Sequence, residues 1–454
     1  MKSHIGPFQS TDRQQRQFCY EIGFSTLRHN DDDFHLDLAR LSLAKSLASY
    51  AAAGDYPSKD RNITLFHQEL GFRDIESNQF YVTKPEQNSI GVQFALKRYF
   101  TFTLVSIAIR SGGYQAEWGG NFRFGKIGHH EGFEKAAKDV LSLLNDYIQK
   151  HRLNKARRIR FWIAGYSRGG AVANLVSAEL LHQLHEGSMN VLEDALQIQL
   201  RAKAKTRVYA YTFESPLAAS FEVQSDCCKH IYNIYSPKDL VPSIPFGYMG
   251  FRRYGANIRI DVDESKCDLL KDLMPERSPK PFLLQEFSGV KITTSKKHMS
   301  KEGFIQEMLR FFEFDFKLDR EKYVEIYQEG LANVAAFFKS TDLHIVGGIF
   351  SNLKVPALLA SLITKRHFSA YIQSLLRSFD LGLDKAVVKK TIDSLYPLIT
   401  ELIKVDTPHR FLHLMTMFAS AGSIFAEHDI ELIYAYLMQA NMEDLHINEP
   451  GTQS

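Results

Sequence analysis

A serine between two glycines is the first feature of this sequence that points to chemistry. Residues 165–169 read Gly-Tyr-Ser-Arg-Gly, a G-x-S-x-G pattern in which Ser167 is a candidate nucleophile. A serine hydroxyl becomes nucleophilic when a histidine takes its proton and a carboxylate orients that histidine. The same pattern also occurs by chance in ordinary glycine-rich turns. The interpretation therefore depends on the segments that flank Ser167 and on the acidic and histidine residues later in the chain.

The segments on either side of Ser167 favour a nucleophile over a structural serine. Residues 158–164 form an apolar run that predicts a buried strand, and the residues after the pattern have helical spacing. In a sharp strand-to-helix turn, Gly165 and Gly169 leave room for the serine, and the helix N-terminus favours negative charge. The backbone N–H of Arg168 is then a predicted oxyanion donor.

Two downstream residues complete a triad in the chain order serine, aspartate, histidine. Asp239 follows the predicted strand 231–235, and ligand sites of α/β proteins gather where parallel strands end. His298 follows a strand-like run, 287–292, and opens a predicted helix. We expect Ser167 to be the nucleophile, Asp239 the orienting carboxylate and His298 the base.

Other residues compete for the second and third roles. The rival carboxylates lack the loop of Asp239, which continues from a strand into a Val-Pro dipeptide. The competing carboxylates are Asp226, Asp261 and Asp263, and the competing histidines are His129, His130 and His230.

The order of the predicted elements indicates an α/β fold. Strand-like and helical runs alternate over about 200 residues, which is typical of a mostly parallel sheet covered by helices. The predicted strands are 102–109, 158–164, 208–213 and 231–235, and the predicted helices are 36–53, 62–72, 131–150 and 171–184.

The character of the sequence changes near residue 300. The C-terminal third reads as a series of helices without strand-like runs or a chemical motif. We predict an N-terminal tail at 1–35, a catalytic domain at 36–305, and an all-helical domain of unknown role at 306–454.

Composition argues against several classes of protein. The 454 residues are 44% hydrophobic and 24% charged, as in a globular protein, and the net charge of +3 is too small to indicate nucleic-acid binding. The four cysteines have neither the number nor the spacing of a disulfide framework or a zinc site, which favours a reducing compartment. No Sec signal peptide begins the chain, and its longest apolar stretch, 345–364, is interrupted by Lys354 and Pro356. We expect no transmembrane segment, and a cytoplasmic protein or one exported without a Sec signal.

Five segments in order resemble the class 3, or fungal-type, lipase family, and most of all its uncharacterised bacterial members. The resemblance covers roughly the predicted catalytic domain and implies an α/β-hydrolase fold. The segments are LVSIAIRSGG (104–113), HEGF (130–133), GYSRGG (165–170), VYAYTFESP (208–216) and NIYSPKDLVPSIP (233–245).

The resemblance implies the same triad of Ser167, Asp239 and His298, and it makes the histidine of HEGF structural. It also implies a second oxyanion donor after the first matching strand, where Ser111 and Gly112 stand in place of the family's Gly-Thr. Either residue can be that donor.

Further substitutions depart from the family pattern, among them Tyr166 in place of a histidine before the nucleophile. Arg168 replaces a leucine beside the nucleophile, and for its side chain we favour a surface ion pair over contact with an anionic substrate group. Glu214 replaces a glycine before Ser-Pro, and the sequence gives no account of it.

The resemblance also implies a lid over the acyl pocket. The interval 114–124 carries Trp118, Phe122 and Phe124 among glycines and polar residues. These aromatics predict either a mobile flap or side chains that fill the core under a loop.

The sequence therefore predicts a serine carboxylic-ester hydrolase that acts on an acyl lipid, as a lipase, phospholipase A or lysophospholipase. An acyltransferase with the same triad is one alternative. A non-catalytic hydrolase-fold module, whose helical domain binds a partner or a membrane, is another. The expected partners are an acyl-lipid or ester substrate and a membrane surface but no nucleic acid, and a protein partner of the helical domain is not identified. No motif predicts a metal or nucleotide cofactor.

Overall fold

The fold is taken from a computed structural model of the chain. It describes residues 2–9, 17–23, 26–28, 33–50, 60–80, 86, 88–112, 117–121, 125, 128–185, 191–192, 194–198, 200, 206–220, 226–245, 250–261, 267 and 428–448. The chain divides into two compact units. The first comprises 1–237, 241–273 and 429–454, and the second comprises 238–240 and 274–428.

The described elements alternate between strands and helices, as an α/β fold requires. The strands are β1 (Lys2–Gln9), β2 (Gln17–Gly23), β3 (Arg73–Asn78), β4 (Val92–Arg98), β5 (Thr103–Ile109), β6 (Ile159–Tyr166), β7 (Arg207–Phe213), β8 (Ala219–Ser220), β9 (Ile231–Tyr235), β10 (Phe251–Arg252), β11 (Ala256–Ile260) and β12 (Leu445–Asn448). The helices are α1 (Leu36–Ser49), α2 (Arg61–Glu69), α3 (Trp118–Asn121), α4 (Glu131–Lys150), α5 (Arg168–Leu184) and α6 (Ile430–Gln439).

An eight-stranded sheet forms the centre of the first unit, in the order β12-β11-β9-β7-β6-β5-β4-β3. Five adjacent strands run parallel to one another: β11, β9, β7, β6 and β5. The outer strands β3, β4 and β12 add antiparallel pairs. The sheet is therefore mostly parallel, and the carboxyl ends of β5, β6, β7 and β9 share one edge.

Helices cover the sheet on both faces. Successive strand residues point to opposite faces, so each face of an apolar strand has side chains to bury. Ile107 and Ile163 belong to a core cluster that includes buried residues of α4 and α5. The neighbouring Ser106 and Trp162 face the other way and accept hydrogen bonds from Lys45 of α1, at 3.2 Å to the Ser106 Oγ and 2.9 Å to the Trp162 carbonyl. The predicted fold class, a mostly parallel sheet flanked by helices, is confirmed.

The structure differs from the predicted outline at both ends of the chain. Within the predicted N-terminal tail, β1 and β2 pair as an antiparallel ribbon. At the other end, α6 and β12 belong to the unit that contains the sheet, and β12 pairs with β11. The predicted boundary at residue 305 stays a prediction, because 268–427 lies outside the described residues. None of the described helices has both the length and the apolar character needed to cross a bilayer.

Candidate active site

Ser167 occupies the turn between β6 and α5, at the carboxyl edge of the sheet. Its backbone has φ 53° and ψ −125°. Residues other than glycine avoid this conformation, which costs on the order of 1–3 kcal/mol and is found mainly at functional sites. Its N–H donates to the carbonyl of Phe213, at the end of β7, over 2.8 Å. The strained turn is therefore tied to the neighbouring strand.

The two glycines of the pattern allow α5 to start close against the sheet. A Cβ on Gly165 would lie 2.3 Å from the carbonyl oxygen of Gly169, and a Cβ on Gly169 would lie 2.5 Å from that of Ile109. Both distances are far shorter than a van der Waals contact. The tight approach of helix and strands thus requires glycine at both positions.

The loop after β5 carries the two predicted candidates for the second oxyanion donor. The loop begins beside the serine turn because Ile109 pairs with Gly165. The Arg110 guanidinium makes a fully buried ion pair with Glu117 at 2.6 Å and also donates to the Ser111 carbonyl at 3.2 Å. These contacts fix the backbone from which Ser111 and Gly112 follow, and the choice between the two stays open.

The side chain of Arg168 is buried rather than exposed, so the expected surface ion pair is wrong. It is 1% exposed, and it donates to the side-chain oxygen of Asn121 at 2.7 Å and to the Ser89 carbonyl at 3.4 Å. Burial lowers the pKa of Arg168 to about 10. The guanidinium therefore joins the first turn of α5 to the short helix α3.

Asp239 lies four positions after the last residue of β9, Tyr235, and is fully buried. Its Oδ2 is 2.6 Å from the Nδ1 of His428. A carboxylate can only accept, so Nδ1 carries the proton and donates. The neutral imidazole then presents Nε2 as its acceptor nitrogen, which is the arrangement that a histidine base needs.

The predicted base, His298, lies outside the described residues, so its role stays a prediction, and the sequence analysis did not single out His428, which contacts Asp239. Two signals at His428 were present. It keeps the chain order serine, aspartate, histidine, and it immediately precedes Asp429, whose side chain caps α6 by accepting from the Glu431 N–H at 2.8 Å. Its contact with Asp239 is hidden in the sequence because the C-terminal third reads as a separate helical domain.

Two of the rival histidines hold the scaffold together. His129 contacts the backbone through both ring nitrogens, the Val191 carbonyl and the Ser220 N–H, each at 2.9 Å. His130 lies 3.1 Å from the Asn121 carbonyl, and its ring stacks on Phe133. Burial lowers the pKa of His130 to about 3, so the ring is neutral.

The remaining competing carboxylates and histidine give less evidence of a role. Asp261 is half-exposed and pairs with Arg259 at 2.6 Å. His230 ends the short helix before β9, Asp263 lies outside the described residues, and the side chain of Asp226 is not described.

Glu214, which had no explanation from the sequence, has a clear place in the structure. It follows β7, is buried, and has φ 45°. Its Oε1 accepts from the N–H of Ser236 at 2.8 Å. Ser236 opens the loop that leads to Asp239, so the glutamate supports the segment that carries the proposed carboxylate.

The predicted lid is described only at its centre. Trp118 begins α3, and its side chain is not described, while Phe122 and Phe124 lie outside the described residues. The helix packs closely on α4, since a Cβ on Gly132 would lie 2.0 Å from the Gly120 carbonyl oxygen. Whether the aromatics form a flap stays a prediction.

Comparisons with known proteins give one family. A family model described as Lipase (class 3) matches residues 107–249 of this chain. No curated protein matches.

Solved structures that are similar to this chain include several fungal lipases. The triacylglyceride lipase of Rhizomucor miehei is 15% identical, with a TM-score of 0.34, over 51% of this chain and 83% of that one. The lipase of Rhizopus microsporus var. chinensis is 14% identical, with a TM-score of 0.35, over 51% and 77%. A mutant of the MDLA protein of Penicillium cyclopium is 17% identical, with a TM-score of 0.32, over 51% and 83%.

Proposed function

We propose that this chain, whose residues 107–249 match the class 3 lipase family, hydrolyses acyl-lipid esters with a triad of Ser167, Asp239 and His428. The family match over residues 107–249 supports the resemblance drawn from the motifs, and with it the class of lipase-type serine ester hydrolase. The assignment of the three residues and of an acyl-lipid substrate goes beyond the family match and is our proposal. One observation supports it: the hydrogen bond between His428 and Asp239 pairs a histidine with the carboxylate that the sequence predicts to orient the base.

The proposed reaction proceeds in two acyl transfers. His428 Nε2 takes the proton of the Ser167 hydroxyl as the Oγ attacks the ester carbonyl, and Asp239 stabilises the imidazolium that forms. The N–H of Arg168 and that of Ser111 or Gly112 then donate to the oxyanion. His428 returns its proton to the leaving alcohol, and a water molecule, activated in the same way, releases the acid from Ser167.

The substrate class rests on the family rather than on a described pocket. Acyl lipids fit a lipase family, and membrane-surface contact is part of the same proposal. Transfer of the acyl group to an alcohol other than water uses the same steps, so an acyltransferase differs only in the acceptor.

The triad is tested by labelling with a fluorescent fluorophosphonate and by turnover of p-nitrophenyl esters. We expect Ser167→Ala to abolish labelling, and Asp239→Asn and His428→Gln each to lower kcat by about 10⁴-fold. His298→Gln is the matched control and should retain wild-type turnover. Circular dichroism and thermal unfolding verify that each variant folds.

Each outcome separates the parts of the proposal. If His298→Gln abolishes turnover while His428→Gln retains it, the base is His298 and the ester hydrolase stands with a different triad. If folded wild type neither labels nor turns over ester, with or without detergent and liposomes, the hydrolase proposal is wrong and the binding-module alternative gains support. Turnover of long-chain but not short-chain esters would support the acyl-lipid assignment.

A further inference from the structure

Three side chains of types that bind metal ions meet in the first unit, separate from the proposed triad. His182 lies in the last turn of α5, and Cys227 and Cys228 lie in the short helix that precedes β9. One ring nitrogen of the histidine and the two sulfur atoms all lie within 4.8 Å of one another. His182 and Cys228 are buried and Cys227 is half-buried, which leaves one side for an ion to enter.

The spacing of the two sulfur atoms suits a single metal ion. Two thiolates bound tetrahedrally at about 2.3 Å to one zinc ion have their sulfur atoms about 3.8 Å apart. The sulfur atoms of Cys227 and Cys228 are 4.0 Å apart. A shift of a few tenths of an ångström would therefore place both in bonding distance of one ion.

Glu179, the nearby carboxylate, is already used by the protein. It accepts from the N–H groups of Val191 and Leu192 at 2.7 and 2.9 Å and from the Gln183 side chain at 2.7 Å. In the described part of the chain the cluster thus contains three protein ligands and no fourth. A tetrahedral ion held there keeps one position for water.

We propose that His182, Cys227 and Cys228 bind one thiophilic metal ion, of which zinc is the simplest case. Two thiolates and an imidazole are ligands that zinc and copper(I) prefer over calcium or magnesium. Each thiol gives its proton to solvent as its sulfur–metal bond forms, so two thiolates balance the charge of Zn²⁺.

The bound ion has a structural consequence. It ties the end of α5, the helix that follows Ser167, to the segment that leads into β9 and on towards Asp239. The cluster has no signature in the sequence because His182 is distant from the adjacent cysteines in the chain, and no ligand spacing motif joins them.

The test uses reduced, chelator-treated full-length protein and cobalt(II) as the spectroscopic probe. We expect one cobalt ion per chain, a sulfur-to-cobalt charge-transfer band, and a rise of several degrees in Tm with zinc. The band should be lost in Cys227→Ser and Cys228→Ser, and binding should be about 100-fold weaker in His182→Gln. Cys267→Ser is the matched control, because this buried thiol lies elsewhere, near the Ala435 carbonyl, and should leave the band unchanged.

Several results would overturn the proposal. The first is reduced wild-type protein that shows neither the charge-transfer band nor a shift in Tm. The second is a band that persists in the Cys227→Ser/Cys228→Ser double variant. The third is a band that is lost in Cys267→Ser. If Cys228→Ser does not fold, the half-buried Cys227→Ser and His182→Gln variants decide. Ester turnover is measured separately, so failure of the metal site leaves the proposed triad unaffected.

Discussion

At the scale of single residues, Glu214 shows how a side chain offsets an unfavourable backbone conformation. Its φ of 45° is one that glycine adopts without strain and that costs other residues about 1 kcal/mol. The buried carboxylate accepts from the Ser236 N–H at 2.8 Å, and the Glu214 N–H donates to the Ile234 carbonyl at 3.0 Å. The residue thus links the end of β7 to the loop that leads to Asp239.

We predict that Glu214→Gln keeps most of the activity and that Glu214→Gly loses about 10-fold in kcat with little change in KM. Glutamine retains an oxygen that can accept from Ser236. Glycine relieves the backbone strain but leaves this N–H without its partner, so the loop that carries Asp239 is less firmly held. Steady-state ester kinetics of both variants, at equal folded concentration, measure the difference. A Glu214→Gly enzyme as active as wild type would show that the carboxylate has no positioning role.

Candidate site residues that directly follow a strand could be predicted from the sequence. Residues placed by contacts with distant parts of the chain could not. Ser167 and Asp239 each follow a recognisable strand, so their place at the sheet edge could be derived. His428 is brought to Asp239 from much later in the chain, and no local pattern announces that contact. Burial of Arg168 was equally hidden, because a charged residue on a helix is exposed unless a partner such as Asn121 receives it.

At the scale of elements, the buried central strands were predictable and the edge strands were not. β5, β6, β7 and β9 are almost wholly buried and form apolar runs, which is the pattern of parallel strands covered on both faces. β3 has the sequence RDIESN and is largely exposed, and β12 is only four residues long. Such edge strands lack a continuous apolar signal because they pack on one side only.

We predict that Gly169→Ala lowers ester turnover by more than about 100-fold and destabilises the fold by roughly 1–3 kcal/mol. The added methyl group would lie 2.5 Å from the Ile109 carbonyl oxygen and 2.7 Å from that of Arg110. Relief requires α5 to move away from β5, which displaces Ser167. Gly23→Ala is the control, because among the described residues its methyl group meets only the Thr26 hydroxyl, at 3.3 Å. Equal activity of Gly169→Ala and wild type would contradict the tight helix-to-strand approach.

The contact between α1 and the sheet depends on a buried lysine. Lys45 is fully buried, its Nζ donates to the Trp162 carbonyl at 2.9 Å, and it lies 3.5 Å from the centre of the Trp162 ring. Burial lowers the pKa of Lys45 well below its usual 10.5. The unfolded chain therefore binds a proton at pH values where the folded protein binds none. In the window between the two pKa values, this group makes the folded state more stable as the pH rises.

We predict that the free energy of unfolding of wild type, relative to that of Lys45→Met, rises with pH between the lowered pKa of Lys45 and its ordinary value of 10.5, by up to about 1.4 kcal/mol per pH unit. Methionine fills a similar volume and does not titrate, so it removes this slope whatever its effect on stability at neutral pH. Urea unfolding at matched ionic strength measures both curves. Parallel curves would mean that Lys45 is protonated in the folded state.

At the scale of the whole sheet-containing unit, both layers of helices hold a buried neutral histidine. His67 of α2 lies 2.6 Å from the Gln93 side-chain oxygen and 2.8 Å from the Ser106 hydroxyl, on the α1 side of the sheet. His130 begins α4 on the opposite side. Burial is the first cause that lowers the pKa of each to about 3. The fold is thus sensitive to acid through two layers at once.

We predict that the free energy of unfolding of wild type falls between pH 7 and about pH 5 by roughly 2 kcal/mol for each of these two histidines. This loss adds to the change that titration of surface groups causes. Both pKa values lie below the ordinary 6.5, so the unfolded chain gains protons first as the pH falls. The stability from each neutral ring is complete above pH 6.5 and declines towards pH 3. His67→Gln keeps hydrogen-bonding groups near Gln93 and Ser106 but cannot titrate, so it should lose about 2 kcal/mol less than wild type over this range. Urea unfolding at both pH values tests this, with His185→Gln as the control because His185, at the end of α5, is exposed. If His67→Gln loses as much unfolding free energy between the two pH values as wild type does, His67 takes up its proton without unfolding the α1 side of the sheet.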